Sequence, residues 1–296
     1  MAAVQTAAWR WLKRKDGDVT THILLIDCAD QKGLVHHITG VLLGHDANIT
    51  SNHEFVDHAT AHFFMRTEFT GEIEREQVLA ELRDRLPAAA RVRFGPAGRR
   101  RIVVLATREH HCLGELLLRH SFGELNATIE AVVSNHATLR GLVERFEVAF
   151  HHIGADDLSR AEHEQALIER IDGYQPEYVV LAKYMRVLTP AFVARYRERI
   201  INIHHSFLPA FVGANPYRQA FERGVKIIGA TAHYVTDELD EGPIIAQSII
   251  PVDHTQSAAA MMQAGRDVEK TVLAKALRLV FEERVFLNGR RTVIFE

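Results

Sequence analysis

Ile200-Ile201-Asn202-Ile203-His204-His205-Ser206-Phe207-Leu208-Pro209 opens as an apolar strand and closes in a polar turn ending at proline. A short run with apolar side chains on both faces fits a strand buried inside a parallel sheet. Comparable runs recur at Arg101 to Ala106, Thr128 to Val133, Glu147 to Phe150, Tyr178 to Ala182, Lys226 to Val235 and Pro243 to Val252. Helical patterns near Leu113–Arg119, His136–Arg145, Leu158–Asp172 and Pro190–Tyr196 fall between the earlier ones. That alternation predicts a Rossmann-like α/β domain with a mostly parallel sheet covered on both faces. A long helix follows from about Ser257 to Glu282, then a hairpin from Val285 to Phe295. Asn288-Gly289 is expected to supply the two positive-φ positions of its turn.

Upstream the pattern changes. His22 to Cys28 reads as a strand, and Leu34, Ile38, Val41 and Leu42 form one helical stripe after Gly33. Asn48-Ile49-Thr50 opens a second strand, and Thr60 to Phe69 suits a third. A charged helix with Val78, Leu79, Leu82 and Leu86 on one side ends at Pro87, and Arg91 to Phe94 is a last strand. This βαββαβ order, with the D-x-x-G-L-V opening at Asp30, Gly33, Leu34 and Val35, resembles the ACT domain, a ferredoxin-like ligand-sensing module. The resemblance implies an amino-acid effector near Asp30, Gly33, Leu34, Asn48 and Ile49, at an interface between such domains; a purely structural dimerisation unit is the alternative. Gly95-Pro96-Ala97-Gly98 and the arginines behind it break regular structure and are expected to be a solvated linker. The expected organisation is a 1–20 extension, a 21–94 ACT-like domain, a 95–100 linker and a 101–296 catalytic domain.

Composition limits the partners. Across 296 residues the formal net charge is −3, which gives no electrostatic pull toward nucleic acid or anionic membrane. The longest apolar runs are too short to span a bilayer, and no apolar core follows the basic residues near Arg10. Two cysteines, Cys28 and Cys112, make no disulfide framework and suit the reducing cytoplasm. Eighteen histidines raise the question of a metal, but none sits in a zinc-type motif. Neighbours such as His204 and His205 point to opposite faces of a strand, so no metal is expected.

The chemistry is expected where a parallel sheet collects ligands, beyond the carboxyl ends of its strands. Asn202 and His204 are two residues apart and share one face if the strand persists, with Ile201 and Ile203 on the other. An amide donor beside an imidazole suits an oxyanion site; a hydrogen-bonded strand end with two buried polar side chains is the alternative. Downstream, Gly229 to Val235 is another strand, and Asp240 precedes a Glu241-Gly242-Pro243 turn. A carboxylate there can orient the His204 ring and favour its charged form.

The N-I-H-x-S-x-L-P stretch, the G-A-T-A-H-Y-V strand and the D-E-G-P turn resemble the folate-dependent formyltransferase superfamily over nearly all of residues 100–296. The resemblance implies that Asn202, His204 and Asp240 form the catalytic set, the first two at the tetrahedral intermediate and Asp240 assisting proton transfer. It further implies that His233 supports the set, that Met185, Arg186, Val187 and Leu188 hold the pterin ring, and that Gly213 belongs to a loop beside the site. His205 stands where many relatives have proline, and substrate contact, water positioning and packing are all open to it.

Relatives that formylate a phosphate-bearing acceptor use a loop rich in small residues after the first strand, where backbone amides approach the phosphate. Here that segment is Thr107-Arg108-Glu109-His110-His111-Cys112-Leu113-Gly114, bulky, with an acidic Glu109 and a single glycine, which disfavours a phosphate although Arg108 leaves one open. Water is then the simplest acceptor. The implied reaction is hydrolysis of 10-formyltetrahydrofolate to formate and tetrahydrofolate, with folate as substrate and no cofactor. It would supply formate for purine synthesis and balance the one-carbon pool under control of an amino acid such as glycine or methionine. Transfer to a small amine and a non-catalytic folate sensor are the alternatives. Cys112 as a covalent nucleophile competes with an inert cysteine at a helix start. ACT modules commonly pair, so a homo-oligomer is expected.

Overall fold

In the computed structural model, residues 20–95, 98–156, 158–209 and 216–296 are described. The chain divides into two compact units between residues 97 and 98. The first contains β1 (Thr21–Ala29), α1 (Leu34–Gly44), β2 (Asn48–Asp57), β3 (His62–Thr70), α2 (Arg75–Arg85) and β4 (Arg91–Phe94), the expected βαββαβ order. Its sheet has the order β2-β3-β1-β4, antiparallel throughout. Leu34, Ile38, Val41 and Leu42 of α1 are all buried and pack with Leu24, Ile26, Phe63 and Met65. From α2, Val78 and Leu82 join that core, whereas Leu79 is only half-buried. Gly33 enters α1 at φ +91°, a left-handed conformation that a side chain would strain.

The second unit runs β5 (Arg100–Ala106), α3 (His111–Ser121), β6 (Ala127–Ser134), α4 (Arg140–Glu144), β7 (Ala149–His152), α5 (Arg160–Asp172), β8 (Tyr178–Ala182) and α6 (Pro190–Arg195). It continues with β9 (Ile200–His204), α7 (Pro216–Glu222), β10 (Ile227–Tyr234), β11 (Ile244–Pro251), α8 (Ala258–Phe281), β12 (Val285–Asn288) and β13 (Arg291–Ile294). Seven strands form one sheet in the order β11-β10-β9-β8-β5-β6-β7. The pairs among β5 to β9 are parallel, and β10 and β11 extend the sheet antiparallel. Alternate residues of β5 serve opposite layers, as the twofold strand period requires. Ile102 and Val104 pack against α3 and α8, while Val103 and Leu105 pack against α5 and α6.

The strand order reverses beside β5, so a crevice opens at the carboxyl ends of β5 and β8, where open α/β sheets bind ligands. A hydrogen bond from Thr107 Oγ1 to the Lys183 carbonyl (2.7 Å) ties the two strand ends together.

Three local expectations are corrected. Arg100 is buried rather than solvated, because Glu177 (2.6 Å) and Glu283 both pair with its guanidinium. The terminal turn is Gly289-Arg290, since Asn288 still pairs with Arg291 across the strands. Only Gly289 has positive φ there, which is the pattern of a II′ turn with glycine first. Residues His136–Arg145 form a 3-10 turn (Ala137–Leu139) followed by the short α4, not one helix. Among the described residues no helix is long and apolar enough to cross a membrane.

Candidate active site

Strand β9 presents Asn202 and His204 on one side, while Ile201 and Ile203 enter the core on the other. The antiparallel neighbour β10 sets His233 directly opposite Asn202. Asp240 returns to the same place because the following turn is extremely tight. A Cβ on Gly242 would lie 1.7 Å from the Tyr234 carbonyl oxygen, so only glycine fits there. Asp240 itself takes φ +56°, a left-handed conformation that aspartate tolerates better than most residues.

These four side chains form one network. His204 Nδ1 donates to Asp240 Oδ2 at 3.2 Å. The other Asp240 oxygen lies 3.7 Å from His233 Nε2. His233 Nδ1 donates to the Tyr234 carbonyl at 2.8 Å, so in the neutral ring Nε2 is the acceptor for Asn202 Nδ2, 3.3 Å away. Burial holds the His233 pKa down and keeps that ring neutral. Burial opposes the charge on Asp240, yet the His204 hydrogen bond and the neighbouring imidazoles outweigh it and hold its pKa below the ordinary value. His204 Nε2 is buried and has no hydrogen-bond partner among the described residues. With Nδ1 held by Asp240, this unused nitrogen can donate to a reacting oxygen when the ring is an imidazolium, beside the Asn202 amide.

The network lines a cavity of about 270 Å³. Met185, Arg186, Val187 and Leu188 line it as well, and Met185 and Val187 are more than half exposed. His205, one of the expected substrate-side residues, lines it too: β9 stops at His204, so the alternation of strand neighbours no longer applies, and the two rings end 5.1 Å apart. The Gly213 expectation lies outside the described residues.

A second cluster was not legible in the sequence. Glu269 of α8 is buried; its Oε2 receives His111 Nε2 (2.8 Å) and Lys183 Nζ (3.1 Å), and its Oε1 receives the Tyr217 hydroxyl (2.6 Å). Burial opposes its charge, but these donors prevail and bring its pKa down to about 2. The one available signal was a carboxylate on the apolar stripe of α8 that continues through Val272, Leu273 and Ala276. His111, Cys112 and Glu269 lie close enough to hold a cation. Lys183 already supplies the positive charge that Glu269 requires, and burial pushes the Cys112 thiol far up, leaving it protonated. A protonated, fully buried thiol is not a nucleophile.

A formyl transferase family model matches residues 100–277, and an ACT domain model matches residues 22–87. The chain is 59% identical to the formyltetrahydrofolate deformylase of Escherichia coli O6:H1 over 272 residues, covering 92% of this chain and 97% of the relative. It belongs to the formyltetrahydrofolate deformylase family. A Haemophilus influenzae formyltetrahydrofolate deformylase is 55% identical, with 92% of this chain and 98% of the relative covered. The crystal structure of a formyltetrahydrofolate deformylase from Pseudomonas syringae superposes with a TM-score of 0.90 at 40% identity, covering 93% of this chain and 94% of that one.

For this deformylase-family chain, the segment Thr107 to Gly114 is filled by its own ion pairs. Glu109 meets Arg266 at 3.1 Å and lies 3.3 Å from His111 Nδ1 without hydrogen-bond alignment. A carboxylate at the start of α3 opposes an anion there. In the ACT unit, Asp30 and Gly33 are exposed beyond the end of β1, Leu34 is buried, and Asn48 and Ile49 begin β2. Asn48 pairs with Thr70, which also pairs with Thr21 at the start of β1, whereas Ala29 pairs with His62. The two halves of the expected effector site therefore stand at opposite ends of the sheet, ~27 Å apart at ~3.3 Å per residue. One copy does not bring them together.

Proposed function

We propose that this chain hydrolyses 10-formyltetrahydrofolate to formate and tetrahydrofolate, the activity that the names of its relatives describe. The observation that carries the proposal is the unpartnered His204 Nε2, set beside the Asn202 amide and backed by Asp240. The pterin lies against Met185, Arg186, Val187 and Leu188, with the formyl group toward β9. Asn202 and His204 donate to the formyl oxygen as water attacks the carbon, and Asp240 favours the imidazolium that holds the developing charge. Asp240 then accepts or relays the proton that water gives up. No cofactor takes part, because the folate is the substrate.

Water as acceptor is supported by the bulky Thr107 to Gly114 segment, in which Glu109 is paired with Arg266 and brings a carboxylate to the start of α3. The reaction supplies formate for purine synthesis and balances the one-carbon pool, in the cytoplasm. An amino acid such as glycine or methionine regulates it from the ACT unit. Since Asp30 and Gly33 stand far from Asn48 and Ile49, that effector is bound between two chains, in a homo-oligomer. Incubation of the purified protein with 10-formyltetrahydrofolate alone should release formate stoichiometrically. No release, with or without either amino acid, would end the hydrolase reading, and release only with an added amine would favour transfer.

A further inference from the structure

A second cavity, of about 390 Å³, adjoins the first, and Lys183, Met185 and His205 line both. Its remaining wall includes Tyr217, Arg266 and Glu269. The shared residues place His205 at the junction, with its ring 5.1 Å from His204 and 6.1 Å from Tyr217. Glu269 holds the Lys183 ammonium at 3.1 Å and is itself held by Tyr217 and His111. No described residue hydrogen-bonds the His205 ring, whereas Lys183, Glu269 and Tyr217 beside it are paired with one another.

The groups facing His205 are Lys183, His204, Glu269 and Asp240. Burial, then the charges of Lys183 and His204, outweigh the two carboxylates and bring its pKa down to about 3. The ring therefore keeps one lone pair and one N–H at physiological pH. Such a group accepts from water without becoming charged. A cationic ring in the same place could only donate, and would turn the water's lone pair away from an electrophile.

We propose that the attacking water enters through this second cavity and is held at the junction by His205, a positioning residue that directs the water oxygen at the formyl carbon. The inference rests on the hydrolase reading above. The water oxygen bonds to the carbon and the C–N10 bond breaks. One water proton ends on N10, the other is released with formate, and His205 is unchanged at the end. The Asn202–His204–Asp240 network polarises the formyl group from the first cavity, so the two reactants arrive from different sides.

The test compares His205→Ala and His205→Gln with the unaltered protein, using formate release and folate binding together. His205→Ala should lower kcat about 100-fold with little change in KM, within the range for a lost proton-handling contact. His205→Gln keeps an acceptor oxygen and should lose far less. Added imidazole fits the vacated junction and should restore turnover to His205→Ala in proportion to its neutral fraction, without accelerating the unaltered protein. Near-normal turnover in His205→Ala would overturn the proposal. So would a loss, with folate binding intact, that neither glutamine nor imidazole repairs. A variant that no longer binds folate is replaced as the probe by His205→Gln, whose turnover must then exceed one-tenth of normal. If the unaltered protein releases no formate, the hydrolase reading itself has failed.

Discussion

His233 Nε2 accepts a hydrogen bond from Asn202 Nδ2 at 3.3 Å, and the His233 Nδ1 bond to the Tyr234 carbonyl dictates that direction. The backbone of β10 thereby sets which end of the Asn202 amide faces the cavity. His233→Phe would keep an aromatic ring but remove the acceptor, leaving Asn202 free to turn its oxygen toward the substrate. Formate release should fall by about 10²–10³-fold, the cost of losing an oxyanion donor, with folate affinity nearly unchanged. Equal losses in kcat and in binding would show instead that His233 shapes the pocket.

Asp240→Asn should reduce turnover by about 10²–10⁴-fold while leaving folding and folate binding intact, because the amide cannot favour a charged His204. Retained activity would remove Asp240 from the mechanism. In the unaltered protein, carboxyl-carbon NMR should find the Asp240 titration below the ordinary aspartate value of 3.8. A midpoint above it would mean that burial, not the His204 hydrogen bond, dominates its environment.

Glu269 should matter to stability more than its distance from the formyl site suggests. A carboxyl lowered to about 2 contributes fully above its ordinary value of 4.5 and loses that contribution as pH falls from there toward 2. Glu269→Ala should cost about 3–5 kcal/mol at neutral pH, since it strands the buried Lys183 ammonium. Denaturant titrations at pH 7 and at pH 3 should show the difference between the two proteins shrinking in acid. An unchanged difference would contradict the lowered pKa.

Cys112→Ala should keep full hydrolytic activity and lose only about 1–2 kcal/mol, the cost of a small core cavity. Its sulfur is buried and its thiol held protonated, so iodoacetamide should leave activity intact in the folded protein. Rapid inactivation that tracks alkylation of this residue would reopen covalent catalysis.

Much of the fold could be read in the chain because its signals are local. The apolar runs at Tyr178 to Ala182 and Ile200 to Ile203, and the helical stripe from Leu34 to Leu42, report burial through their own periodicity. Asn202 and His204 were legible for the same reason, two residues apart on one strand. Asp240 needed the tight Gly242 turn, which the Glu-Gly-Pro sequence announces. His205 was open to substrate contact, water positioning or packing in the sequence, and it lines the cavity because β9 ends at His204. Arg100 was misread because its partners, Glu177 and Glu283, are remote in sequence.

By itself the sequence determined the two-unit α/β organisation, the strand that carries the amide–imidazole pair and the turn that brings in a carboxylate. Each of these depends on spacing within about ten residues, where backbone geometry is decisive. Only the tertiary structure decided that His233 aims Asn202, that Lys183 and Glu269 lock one side of the cavity, and that the ACT effector positions lie at opposite ends of one sheet. Those relations join residues from separate strands and helices. They follow from strand order and burial, which no local period records.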